Sequence, residues 1–155
     1  MVDPGGSGIS DERSDAIRSL ETEFGELIAR MRHLISENAQ RLSPGLLPGG
    51  YKTFTTIVRR GGITSSALAE VLLADKGQIS RTVRDLEQRG LVVRTPDPDD
   101  RRSQLISATE FGLERLAATR APQEGQLTAA LEEWSVDDIR TFSRMLHALT
   151  AGVRP

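Results

Sequence analysis

Residues 64–104 read TSSALAEVLLADKGQISRTVRDLEQRGLVVRTPDPDDRRSQ. Thr64 is placed to cap a helix reaching about Leu73, which offers Leu68, Ala69, Leu72 and Leu73 to a core. Asp75 and Gln78 are spaced as a capping box for a second helix, whose apolar stripe is Ile79, Val83 and Leu86. Lys76, Gly77, Gln78, Ser80, Arg81 and Arg84 fall outside that stripe. Gly90, after Arg89, suits a left-handed helix end. Leu91–Thr95 and Gln104–Ala108 are rich in β-forming residues and flank the polar turn PDPDDRR, which predicts a two-stranded hairpin with a charged tip.

Helix, tight turn, helix and hairpin together suggest a unit that meets nucleic acid. The link Ala74-Asp75-Lys76 is short, so the two helices cross steeply and the second projects its first turns outward. There Gln78 suits adenine, Arg81 suits guanine and Ser80 suits either a base or a phosphate. Lys76 and Arg84 are better placed for phosphates, which set register rather than sequence. A merely solvated helix face would carry similar residues, and the hairpin favours the first reading. Its tip presents Arg101 and Arg102 beside Asp100, a carboxylate able to orient them, and an arginine so held can enter a narrow minor groove. The same acidic run could suggest a calcium loop, but it lacks the sixth-position glycine and distal glutamate of an EF-hand.

Upstream, Ile17, Leu20, Phe24, Leu27, Ile28, Met31, Leu34, Ile35 and Leu42 recur at helical spacing from Ser10 or Asp11 to Pro44-Gly45. That length exceeds what so small a domain needs for its own core, which points to packing against a second chain. Pro48 opens a helix to about Arg60 with Tyr51, Phe54, Ile57 and Val58 inward, and Gly61-Gly62 stops it. Downstream, Thr109-Glu110 begins a helix that Pro122 and Gly125 interrupt, and Ser135 opens a last one. The expected fold is mainly α with a small β-hairpin wing. Its expected organisation is a disordered tail over residues 1–9, a helical dimerisation region over 10–46 and 109–155, and a winged helix-turn-helix over 47–108.

Composition narrows the function. The net charge is −2, yet residues 52–102 hold 10 basic against 7 acidic side chains while both flanks are acidic. Cysteine is absent, so disulfide, thiol redox and thiolate-zinc chemistry are excluded. No apolar run approaches membrane-spanning length and the N-terminus has no signal-like core, so a cytoplasmic protein is expected, without membrane contact. Nucleophile-elbow, phosphate-cradling glycine-loop and H-E-x-x-H patterns are all missing, so neither catalysis nor a cofactor is expected. A winged helix used only for protein interaction is the alternative. It would need apolar residues where Lys76, Gln78, Arg81 and Arg84 stand.

The chain resembles the MarR (multiple antibiotic resistance regulator) family. The carrying residues are Leu68-Ala69 with Leu72, then Ile79-Ser80-Arg81, Val83, Leu86-Glu87, Gly90-Leu91-Val92 and Arg94. Asp97-Pro98, Asp100-Arg101-Arg102, Leu105-Ile106-Ser107, Thr109 and Gly112 continue the pattern. Ala108 departs from the family's usual leucine, a difference of packing rather than of DNA contact. The resemblance implies a homodimeric regulator, expected to be a repressor, on a pseudo-palindromic double-stranded operator, its recognition helices about 34 Å apart. It also implies release by a small aromatic or phenolic effector, with Arg102 the minor-groove arginine and Asp100 its partner. The family's peroxide sensors need a cysteine that this chain lacks. His33 and His147 are its sole histidines, a poor basis for zinc, and no metal site is expected. His33, Tyr51, Phe54 and Trp134 are the residues expected to line an effector pocket, with core packing as the competing role for each.

Overall fold

The computed structural model of the chain describes residues 6–98, 100 and 102–152. Helix α1 spans Gly6–Leu42. It starts ahead of the expected caps at Ser10 and Asp11: once a helix is nucleated along an amphipathic run, extension over a few poor formers costs little. Residues 6–9 of the expected tail are therefore helical, and residues 1–5 lie outside the described residues. Among the residues of α1 whose burial is described, those of the last turn, Asn38, Ala39 and Leu42, are the deeply buried ones.

Helix α2, Pro48–Arg60, has proline in its first turn and buries Tyr51, Phe54 and Ile57. Its buried threonines are satisfied locally, Thr53 Oγ1 donating to Gly49 O (2.8 Å) and Thr56 Oγ1 to Lys52 O (2.9 Å). Gly61, at φ +70°, closes the helix with its N–H on Ile57 O and Val58 O. Strand β1 (Ile63–Thr64) follows, then α3 (Ser65–Leu72), whose cap Thr64 accepts from Ala67 N at 3.3 Å. Helix α4 is Lys76–Gln88, and strands β2 (Val92–Pro96) and β3 (Gln104–Ala108) form the wing.

The sheet corrects the expected two-stranded hairpin. It has three antiparallel strands in the order β1-β3-β2, with Ile63 opposite Ile106 and Val93 opposite Ser107. The short β1 ties the start of α3 to the wing. Thr109 then joins the wing to α5 (Glu110–Arg120): its Oγ1 donates to Gly90 O (2.6 Å) and accepts from Gly112 N (3.0 Å). Phe54, Ile57, Leu68, Ile79, Val83, Leu86, Leu91, Ile106 and Leu116 share one core, so α2, α3, α4, the sheet and α5 are held as a unit.

The chain divides into two compact units at Thr119/Arg120, and α5 up to Thr119 stays with the first. In the second, a 3-10 turn (Ala121–Gln123) and Gly125 at φ +84° mark the interruption expected at Pro122 and Gly125. Short α6 (Gln126–Ala130) and α7 (Val136–Ala151) follow. Ser135 caps α7 by accepting from Asp138 N at 3.1 Å. Trp134 stacks edge-on against Phe142, centroids 5.8 Å apart. Among the described residues no helix is long and apolar enough to cross a membrane.

Candidate nucleic-acid interface

Helix α4 is aimed by its two ends. At its start Asp75 Oδ1 accepts from Gln78 N at 3.0 Å. The return bond of a capping box is absent, which corrects that expectation and leaves the Gln78 amide on the surface. At its end Leu91 N bonds Leu86 O (3.0 Å) and Gly90 N bonds Glu87 O (2.9 Å), the paired bonds of a Schellman close, with Gly90 at φ +72°. The preceding turn closes in the same way: Ala74 N bonds Ala69 O and Leu73 N bonds Glu70 O, yet the left-handed residue is Leu73 at φ +51°. Sequence gave no sign of that conformation, because the usual glycine is missing.

Between these ends the inward stripe Ile79, Val83 and Leu86 is buried. Lys76, Gly77, Gln78, Ser80, Arg81 and Arg84 are all exposed, as the pattern requires. Among the described residues Lys76, Arg81 and Arg84 make no ion pair, so their charges are uncommitted. Arg94 on β2, by contrast, is spent on Glu87 at 2.9 Å, holding the wing against α4.

The wing loop is built around Asp100. Its Oδ1 accepts from Arg102 N (3.0 Å), its Oδ2 from Ser103 Oγ (2.8 Å), and its carbonyl from Ser103 N (2.9 Å). Those hydrogen bonds, first from the Arg102 amide and then from the Ser103 hydroxyl, hold the carboxyl below its ordinary range. Asp100 thus orients Arg102 through the backbone rather than by pairing with its guanidinium, which is left exposed. This carboxylate is occupied by the loop's own donors, which leaves it poorly disposed toward calcium. Arg101 lies outside the described residues. Arg102, Ser103 and Gln104 border a polar trough of about 520 Å³, closed on the other side by Thr64, Ser65, Ser66 and Arg94.

The four residues expected to line an effector pocket lie in different settings. Phe54 is fully buried and Tyr51 nearly so, both as core of the first unit. An aromatic at helical spacing reads the same in sequence whether it fills a core or lines a cavity. His33 is exposed on α1 with Nε2 3.2 Å from Glu37 Oε1. Trp134, in the second unit, lines a shallow recess of about 450 Å³ with Phe142 and Met145.

Two residues that sequence did not single out are Arg89 and Arg115. Each spends its guanidinium on backbone carbonyls more than 40 positions away, a relation that no local pattern signals.

The comparisons with known proteins agree with this geometry. The family model described as MarR family matches residues 53–103, which run from α2 through the wing loop. The transcriptional regulator HosA of Escherichia coli O111:H- is 30% identical over 106 residues, covering 68% of this chain and 73% of that protein. The crystal structure of a MarR family transcription regulator, SP03579, aligns over 93% of this chain and 94% of its own with TM-score 0.77 at 20% identity, a likeness of fold. A mutant MarR from E. coli crystallised with operator DNA aligns over 87% of this chain and 96% of its own, with TM-score 0.62 at 23% identity.

Proposed function

The chain belongs to the MarR family of DNA-binding transcriptional regulators, which are not enzymes, and from that premise we propose that it is a homodimeric repressor of a pseudo-palindromic operator. The observation that carries the DNA reading is the outer face of α4. It gathers exposed cations and Gln78 with no internal partners, while the opposite face is locked into the core. Arg81 and Gln78 are the proposed base readers, and Lys76, Ser80 and Arg84 the proposed phosphate contacts, with Gly77 keeping backbone near them. Arg102 is the proposed minor-groove arginine, with Arg101 beside it in sequence. No large apolar side chain is exposed on α4, which argues against a module that binds only protein.

The dimer is supported by apolar surface that a monomer would not keep. On α1, Ile17, Leu20, Leu27, Ile28, Met31 and Leu34 are each at least a third exposed, and their spacing follows one helical stripe. In the second unit Val136, Phe142, Met145 and Leu149 are at least half exposed. Covering such side chains is worth on the order of 1 kcal/mol apiece when half their surface is removed from water. Release by a small aromatic or phenolic effector is the regulatory part of the proposal and rests on family membership.

The test is binding to duplexes enriched from a randomised pool, followed across salt. The expected result is a two-fold-symmetric motif with half-sites about one helical turn apart, and log affinity falling linearly with log salt. An affinity indifferent to salt, or enrichment of no motif, would sink the reading.

A further inference from the structure

Arg89 stands at the C-terminal cap of α4, and its guanidinium reaches the segment between α1 and α2. Nε donates to Asp85 Oδ1 at 2.9 Å. Nη1 donates to Ser43 Oγ (2.9 Å) and Pro44 O (2.8 Å), and Nη2 to Gly45 O (3.3 Å). Ser43, Pro44 and Gly45 belong to the connector that leaves α1 and enters α2. The connector is itself braced: Gly45 N donates to Gln40 Oε1 (3.0 Å), Gln40 Nε2 to Leu46 O (3.2 Å), and Leu46 N to Ser43 O (3.0 Å). Arg115 takes the carbonyls just upstream, Arg41 O by Nη2 (2.7 Å) and Leu42 O by Nε (3.1 Å).

A helix end normally leaves its last carbonyls to water or to a cap. Here Arg115 takes the last two, Arg41 O and Leu42 O, and Arg89, at the end of the recognition helix, takes Pro44 O and Gly45 O in the connector that follows. Arg81, Asp85 and Arg89 are spaced four apart, so they form one ridge of α4. That ridge faces the connector across an open recess of about 580 Å³, bordered by Gly45, Leu46, Gln78, Arg81, Asp85 and Arg89. Anchoring the ridge at Arg89 therefore constrains the direction of the ridge at Arg81.

We infer that Arg89 is a positioning residue for DNA recognition: by clamping the end of α4 to the α1–α2 connector, it sets the angle at which Gln78 and Arg81 meet base edges. Its planar fork suits this role, since it serves several oxygens at once and stays charged. Asp85 orients the fork. Because the connector is continuous with α1, the proposed dimer helix, the clamp also links the spacing of the two protomers to the aim of each recognition helix. This inference rests on the proposed operator binding.

The experiment uses the full chain, with wild type, Arg89→Gln, Arg89→Lys and Ser43→Ala each binding a randomised duplex pool, the bound fraction sequenced. Affinities for the wild-type motif and for a scrambled duplex are then measured across salt, beside thermal melting. Arg89→Gln is expected to lower the ratio of specific to non-specific affinity by about tenfold, within the range that coupling residues reach, while the salt slope on scrambled duplex stays unchanged. Arg89→Lys should recover part of the ratio. Ser43→Ala, which leaves α4 intact, should lower it in the same direction by a smaller factor. A ratio that stays at the wild-type value in Arg89→Gln overturns the inference, whatever the melting temperature does. So does an equal loss on both duplexes with a salt slope smaller by about one, which would make Arg89 a phosphate contact. A wild-type chain that enriches no motif fails one step earlier and overturns the operator reading together with this inference.

Discussion

The carboxylate of Asp100 accepts a hydrogen bond from the backbone amide of Arg102 at 3.0 Å, while the Arg102 side chain is exposed. The acid fixes where the arginine leaves the chain and leaves its charge free. A guanidinium paired with that carboxylate would have to give up the ion pair before meeting a phosphate-lined groove. The arrangement here avoids that loss.

The pH dependence follows from the same contact. The folded-state pKa of Asp100 lies below its ordinary value of 3.8, first because of the Arg102 amide and then because of the Ser103 hydroxyl. A depressed folded value means that the loop's stabilisation is fully present above the unfolded pKa and is lost as pH falls through the folded one. Wing-loop order should therefore persist through neutral and mildly acidic conditions and be lost only as pH falls below 3.8. Amide shifts of Arg102 and Ser103 followed by NMR should titrate together with a midpoint under 3.8. A midpoint at or above that value contradicts the hydrogen bonding described.

Removing the free charge should act on DNA alone. Arg102→Ala is expected to weaken operator binding about tenfold, equivalent to ~1.4 kcal/mol, with melting temperature and oligomeric state unchanged. The loss should be largest on operators whose wing-facing steps are A·T-rich. Equal affinity for wild type and variant at moderate salt would remove the wing from the interface.

Much of this architecture could be read before any coordinates, because it rests on local chemistry. Pro48, Thr64, Asp75, Gly90 and Ser135 each mark a helix boundary through their own backbone or side-chain bonds, and the structure places them there. Strand β1 was not legible: two residues after Gly61-Gly62 carry no alternation, and their pairing with Leu105 and Ile106 is non-local. The buried state of Phe54 was ambiguous for the reason that any helical aromatic is. The clamps made by Arg89 and Arg115 were hidden because, Asp85 and Ser43 aside, their acceptors are backbone oxygens, which every residue has.

Leu73 offers a test of strain. It adopts φ +51° and is 95% exposed, so it holds a left-handed conformation without burying its side chain. A non-glycine residue there costs roughly 1–2 kcal/mol, against roughly 0.5–1 kcal/mol of extra chain entropy for glycine in the unfolded state. Leu73→Gly should stabilise the fold by about 0.5–1 kcal/mol and raise the melting temperature by about 1–4 °C. A lower melting temperature would mean that Leu73 makes a contact outside the single chain.

Gly112 offers the opposite case. A Cβ there would press against the Leu91 carbonyl oxygen and lie 3.0 Å from Phe54 Cζ, where the wing, α2 and α5 meet. Neither neighbour has room to yield, since Leu91 and Phe54 are themselves core. Overpacking of this kind costs ~1–3 kcal/mol, and the helix propensity gained by alanine returns about 1 at most. Gly112→Ala should therefore be net destabilising by up to about 2 kcal/mol and lower the melting temperature by up to about 8 °C. A neutral or stabilising outcome would show that α5 can move off the sheet.

The two kinds of contact proposed on α4 should separate in one experiment. Lys76 stands beside the Asp75 cap in the first turn, where a long cation reaches a phosphate and carries no sequence information. Arg81 lies one turn further along the exposed face, where a fork can meet a guanine edge. Lys76→Ala should weaken binding to all duplexes by a similar factor and reduce the salt slope by about one. Arg81→Ala should cost about 1–3 kcal/mol on the preferred operator and relax selectivity at one position in each half-site, at nearly constant slope. The check is affinity across single-base operator variants at several salt concentrations. Matching profiles for the two variants would place Arg81 on the backbone and leave Gln78 as the base reader of this helix.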